Sequence, residues 1–171
     1  FRSNYIILRM IIVKKTGYLK YKKFKFRCAL GKSGIKNKIE EGDNVTPRGT
    51  FKIVKLLYRN DRISKISTVL KKFKIKKNMG WCDDPDSKFY NKQIKLPTSL
   101  RHEKLYRKDS LYDLIVVLNY NFKPIVKNKG SAIFIHVTKE YKPTQGCIAL
   151  RKDNLITLLS LIKKNTKIKI V

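Results

Sequence analysis

Two short apolar runs joined by a seven-residue polar loop constrain this chain more than any other feature. Ser131 to Leu150 reads SAIFIHVTKEYKPTQGCIAL. Ala132-Ile133-Phe134-Ile135 ends on His136, and Thr144-Gln145-Gly146-Cys147 leads into Ile148-Ala149-Leu150. Read as strands, the two runs set a His and a Cys at either side of the loop Thr138 to Thr144. The chain holds two His and three Cys, and one of each falls in this window.

A thiol nucleophile needs this arrangement. The thiolate, not the thiol, attacks a carbonyl well. A neighbouring imidazole can take the proton and later return it to a leaving amine. Gly146 lets the backbone turn tightly and leaves room for a substrate carbonyl. The backbone of Gln145, Gly146 and Cys147 is then placed to face a developing oxyanion. Taken singly, His136 also reads as a structural His at a strand end, and Cys147 as a small buried residue. Together they form a candidate base and nucleophile.

These residues resemble the L,D-transpeptidase catalytic domain (the YkuD family), in the branch with Thr-x-Gly-Cys. The likeness extends to Gly42-Asp43-Asn44-Val45-Thr46-Pro47-Arg48-Gly49-Thr50-Phe51, to Trp81-Cys82-Asp83-Asp84-Pro85, to Leu111-Tyr112-Asp113 and to Ala132-Ile133-Phe134-Ile135-His136. It runs in order from about residue 10 to residue 160. Three departures stand out. The family's common His before Gly-Cys is Gln145, the polar residue two after the Cys is Ala149, and the spacing from His136 to Cys147 is short at 11 residues. Gln145 cannot titrate, so any acid-base or orienting role of that second His is lost or moved.

The resemblance implies a β-sandwich-like catalytic domain and a cysteine acyltransferase acting on peptidoglycan stem peptides. Cys147 would attack the carbonyl of a diamino acid in the donor tetrapeptide and D-Ala would leave. The acyl group would then pass to the amine of a neighbouring stem, giving a 3→3 cross-link. His136 would be base and acid. No cofactor and no metal is expected. The same site acting with water would be an L,D-carboxypeptidase. The implied location is the periplasm or cell envelope, with a monomer as the expected state.

Length and charge bound the rest. A chain of 171 residues with 42% hydrophobic residues suits one domain spanning residues 1–171. No apolar run approaches the roughly 20 residues of a membrane helix. The net charge of +29 would attract polyanions. Lys, Ile and Asn are all frequent, so most of the charge reads as a compositional habit of a solvated surface, and no nucleic-acid partner is expected. The alternative is a non-catalytic basic module that binds nucleic acid or anionic wall polymer.

Asn4 to Val13 reads as a strand rather than a signal peptide, because Arg9 interrupts it and no small-residue cleavage site follows. Met10 is a candidate natural start, with residues 1–9 then extra. Thr16-Gly17 makes a turn, and Tyr18 to Leu30 ends in period-2 alternation at Phe24, Phe26, Cys28 and Leu30. Gly31 to Asn44 reads as a loop, Thr46 to Gly49 as a turn and Phe51 to Tyr58 as a strand. Ile63, Ile66 and Leu70 have near-helical spacing before the basic run Lys71 to Lys77. Met79 to Asp86 reads as a loop and Ser87 to Asp109 as mostly irregular. Leu111 to Asn119 is a strand, and Asn121 to Gly130 turns the chain back. Asp153 and Asn154 are expected caps of a helix carrying Leu155, Leu158, Leu159 and Ile162 on one face, before a last strand from Thr166 to Val171. The fold class is therefore mainly β with one late helix.

Minor site candidates complete the reading. Arg48 could meet a substrate carboxylate, Trp81 could wall the cleft, and Asp83 could bind an amine. The acids near Trp81 lack metal-ligand spacing. Cys82 has no Gly turn or nearby His and ranks below Cys147, and His102 sits in a charged, exposed context. A Cys28–Cys82 disulfide would leave Cys147 free.

Overall fold

The structure is a computed structural model that describes residues 10–171. The strand expected from Asn4 is seen from Met10 onward, and its first part lies outside the described residues. Fourteen strands and one helix follow one another among them. The large sheet contains β1 (Met10–Lys14), β2 (Tyr18–Tyr21), β3 (Phe24–Arg27), β6 (Gly49–Tyr58), β7 (Lys72–Lys74), β11 (Leu114–Leu118), β12 (Phe134–Val137), β13 (Ile148–Leu150) and β14 (Lys167–Ile170). Its path is β13-β12-β11-β6-β14-β1-β2-β3, with β7 beside β6. The two ends of that path meet. Ala29, just after β3, exchanges both backbone hydrogen bonds with Ala149 of β13, at 2.8 and 3.0 Å. The sheet is thereby barrel-like, the form the expected mainly β domain takes.

Period-2 alternation decides which side chains fill the barrel. Leu114, Val116 and Leu118 of β11, Ile135 and Val137 of β12, and Ile148 and Leu150 of β13 enter the main core. Helix α1 (Lys152–Leu161) packs Leu155, Leu158 and Leu159 onto it. The opposite faces of β11 and β12 present Ile115, Val117 and Phe134 to a second apolar cluster, which also holds Trp81, Leu105, Tyr112 and Cys147. A small sheet of β10 (His102–Lys104), β8 (Met79–Cys82) and β9 (Gln93–Lys95) supplies part of that cluster.

Several expectations change here. The run from Tyr18 is a hairpin, because Lys22 takes a left-handed turn (φ 53°) between β2 and β3. The loop after Gly31 contains β4 (Ile35–Lys36), which pairs in parallel with β5 (Thr46–Pro47). Ile63 and Ile66 form no helix; both are buried anchors of an irregular segment. The segment from Met79 opens with β8, and the region from Ser87 carries β9 and β10. The helix begins two residues early, with Arg151 at its N-cap and no side-chain cap, so Asp153 falls within its first turn. Cys28 and Cys82 are separate buried thiols, not a disulfide. Burial pushes the Cys28 thiol up to about 12.

Candidate active site

The parallel pairing of β12 and β13 places the two residues expected to act. Ile135 is opposite Ile148 and His136 opposite Ala149. Ile148 points into the barrel, so Cys147 and Ala149 share the outer face with Phe134 and His136. The short loop between them is pinned at both ends. Thr138 N–H donates to Leu150 O (2.7 Å), and Thr144 N–H donates to Leu30 O (2.9 Å).

A second set of contacts shapes the turn before Cys147. The Thr144 hydroxyl donates to Cys147 O (2.6 Å) and accepts from Gly146 N–H (3.1 Å). Gly146 has φ +137°, and a Cβ there would lie 2.8 Å from Val45 O. The space beside Gly146 is therefore filled by the chain's own backbone, not left for a substrate carbonyl. Thr46, in the Thr-Pro-x-Gly stretch, accepts from Gly31 N–H at 2.7 Å and braces the turn from behind.

Cys147 and His136 open into one cavity of about 1120 Å³. A second cavity of about 210 Å³ also has Cys147 in its wall, and Asp83, Glu103 and Gln145 line both. His136 is only 6% exposed. Its Nδ1 lies 2.9 Å from Val137 O, which leaves Nε2 as the proton-accepting nitrogen if Nδ1–H donates there. Burial lowers the imidazole pKa, opposed by the carbonyls of Val137 and Leu111. The Cys147 thiol donates to Ala132 O (3.1 Å) and accepts from Phe134 N–H (3.3 Å), not from the imidazole. Burial first, and the Glu103 carboxylate second, push it up to about 12. Burial thus favours the neutral form of both the thiol and the imidazole.

Other expected residues scatter. Asp83 reaches both cavities but is paired with Arg101 at 3.2 Å. Gln145 is exposed at the cavity mouths. Arg48 is exposed and lines neither cavity, its N–H spent on Lys36 O. Trp81 is buried beneath the site rather than walling it; its ring meets Phe134 edge-on at 5.1 Å. Cys82 is fully buried at the end of β8. No group of His, Cys, Asp and Glu suited to a metal ion occurs among the described residues.

The structure adds residues the sequence set aside or did not single out. His102, read as exposed, lines the large cavity from β10. Glu103, next to it, accepts a hydrogen bond from the Tyr112 hydroxyl. The Tyr112 ring stands edge-on to His136 at 5.3 Å. Asn91, itself left-handed at φ 55°, organises the floor. Its carbonyl oxygen accepts from Trp81 Nε1–H (3.0 Å) and Ala132 N–H (3.1 Å). Its amide donates to the carbonyls of Tyr120 (3.0 Å) and Asn121 (2.9 Å). Ala132 thereby keeps φ +52° and turns its carbonyl to the thiol. A Leu-Tyr-Asp triplet at Leu111 was the only sequence signal for any of these.

Comparison with known proteins places the chain. The family model of the L,D-transpeptidase catalytic domain matches residues 9–170. No curated protein matches. Among solved structures, the helical cell shape determining protein Pgp2 from Campylobacter jejuni is 18% identical with a TM-score of 0.51, over 94% of this chain and 46% of that one. Bd1075 from Bdellovibrio bacteriovorus is 18% identical with a TM-score of 0.49, over 95% and 47%. An L,D-transpeptidase from Mycobacterium smegmatis is 15% identical with a TM-score of 0.43, over 95% and 58%. The chain spans about half the length of the solved structures it matches.

Proposed function

The chain belongs to the L,D-transpeptidase catalytic domain family, and from that premise we propose that it is a cysteine acyltransferase acting on peptidoglycan stem peptides. The observation that carries this reading is one cavity walled by both Cys147 and His136. His136 takes the thiol proton at Nε2 once Sγ swings away from Ala132 O. The thiolate attacks the carbonyl of a diamino acid, a C–S bond forms, and the C–N bond to D-Ala breaks. The imidazolium returns the proton to the departing amine. Gly146 N–H is committed to Thr144 Oγ1, so the oxyanion falls to Cys147 N–H rather than to the wider Gln145–Gly146 backbone. The amine of a second stem then takes the acyl group, giving the 3→3 cross-link. The reaction places the domain, taken as a single unit over residues 1–171, in the periplasm or cell envelope.

Intact-mass measurement after exposure to a carbapenem, and separately to a diaminopimelate-containing tetrapeptide, tests this. An adduct on Cys147 that vanishes in Cys147→Ala supports it. Released D-Ala with dimer marks a transpeptidase, and with tripeptide alone a carboxypeptidase. A folded protein with neither adduct nor turnover would overturn it.

A further inference from the structure

Glu103 differs from the other acids around Cys147. It sits at the centre of β10, opposite Trp81, and lines both cavities. Asp83 is neutralised by Arg101, and buried Asp113 by Arg62 (2.8 Å) and Lys152 (3.1 Å). Among the described residues Glu103 forms no ion pair; its partner is the neutral Tyr112 hydroxyl. A half-buried carboxylate that faces a cavity and is held only by a neutral hydroxyl favours a cation there. With 41 Lys and Arg against 12 Asp and Glu, this chain had cations to spare for it. Lys38, a base lining the small cavity, is committed to Asp43. Arg107 lies over the Tyr112 ring at 5.2 Å and its charge is felt at Glu103, but its ion pair is with Asp109. The missing cation is therefore to be sought outside the chain.

We propose that Glu103 is the docking point for a primary ammonium group of the substrate, and that the positive charge brought there readies Cys147 for attack. This rests on the reading of Cys147 as the acyl-accepting nucleophile. A diamino acid whose carbonyl is attacked carries an amine one side chain away, within the span of a small cavity. Glu41 faces the same cavity and adds negative charge, taking the Tyr90 hydroxyl, while the two bases of that cavity, Lys38 and Arg101, are paired with Asp43 and Asp83. The charge on Glu103 opposes the thiolate in the empty site, while Phe134 N–H and Lys38 oppose that effect more weakly. A cation docked on Glu103 removes that contribution, leaving burial alone to oppose the thiolate, and so eases passage of the thiol proton to His136. Substrates without the amine leave the thiol inert, so recognition and activation become one event. The orienting or acid-base task that Gln145 cannot perform is met from β10.

The test is the rate at which iodoacetamide alkylates Cys147 in the whole protein at about pH 8, with the adduct mapped by peptide mass spectrometry. It is run alone, with meso-diaminopimelate, and with pimelate, which has the same carbon chain and no amines. Diaminopimelate should raise the rate about tenfold, the equivalent of one unit in thiol pKa, and pimelate should not; simple blocking would slow both. Glu103→Gln should react faster from the outset and ignore both ligands. Equal rates with the two ligands, or an amine effect that persists in Glu103→Gln, would overturn the proposal. If Glu103→Gln does not fold, the wild-type comparison decides alone. Alkylation needs no acyl transfer, so amine-dependent alkylation without turnover counts against the acyltransferase reading only.

Discussion

His136 stands directly opposite Ala149 on neighbouring parallel strands, and Cys147 lies two residues earlier on the same outer face. The methyl of Ala149 keeps the ground in front of the imidazole low and leaves it lining the large cavity. The cost is burial, which holds the ring pKa below its ordinary value.

That burial gives stability a sign in pH. A base whose folded pKa is depressed contributes stability above its unfolded pKa, about 6.5, and loses it as pH falls towards the folded value. Thermal unfolding between about pH 7.5 and 5 should show stability falling by up to about 1.4 kcal/mol per pH unit. In His136→Gln that slope should flatten. Asp43 and Asp109, held low by Lys38 and by Arg107, lose their contribution only at lower pH.

Gly146→Ala should destabilise the turn before Cys147. The substitution demands φ +137° of an L-residue and drives a methyl to 2.8 Å from Val45 O. A loss of about 1–3 kcal/mol is expected in denaturant unfolding, together with slower acyl-enzyme formation by a carbapenem.

Thr144 acts through its hydroxyl. Thr144→Val keeps the shape but removes the bonds to Cys147 O and Gly146 N–H. It should cost about 1–2 kcal/mol and reduce acylation, and Thr144→Ser should restore both.

Asn91 uses its side chain completely, with two bonds accepted and two donated in a buried setting. Asn91→Ala orphans Trp81 Nε1–H, Ala132 N–H and two carbonyls, and should cost at least about 3 kcal/mol by denaturant unfolding. Asn91→Asp keeps the two acceptor bonds but sets a buried carboxylate oxygen against the carbonyls of Tyr120 and Asn121, so it too should be destabilising, more at neutral than at acid pH.

Some of this was legible in the chain. Long or strongly patterned elements such as β6, β11, β12 and α1 declare themselves, and the loop from His136 to Cys147 declares its ends. β8, β9 and β10 do not. They span no more than two periods each, and their pairing, such as His102 with Cys82, is non-local. Glu103 illustrates the same limit. In Arg101-His102-Glu103-Lys104 nothing local says which charge turns inward. Arg101 leaves to meet Asp83, and Glu103 meets Tyr112. The Gly146 turn was legible as a turn, but not its reason, because Val45 arrives from a hundred residues away.

The two hydrogen bonds between Ala29 and Ala149 are the barrel's clasp. They join a three-residue strand to a single residue beyond β3, with the bonds of Thr144 to Leu30 and Lys32 alongside. Cys147 and the Thr144 clip sit immediately beside it. Unfastening that joint would leave most of the strands paired yet scatter the turn of the proposed nucleophile. On the proposed function, acylation of Cys147 and closure of the barrel are then a single cooperative property, and loss of carbapenem acylation on heating should precede loss of β-structure.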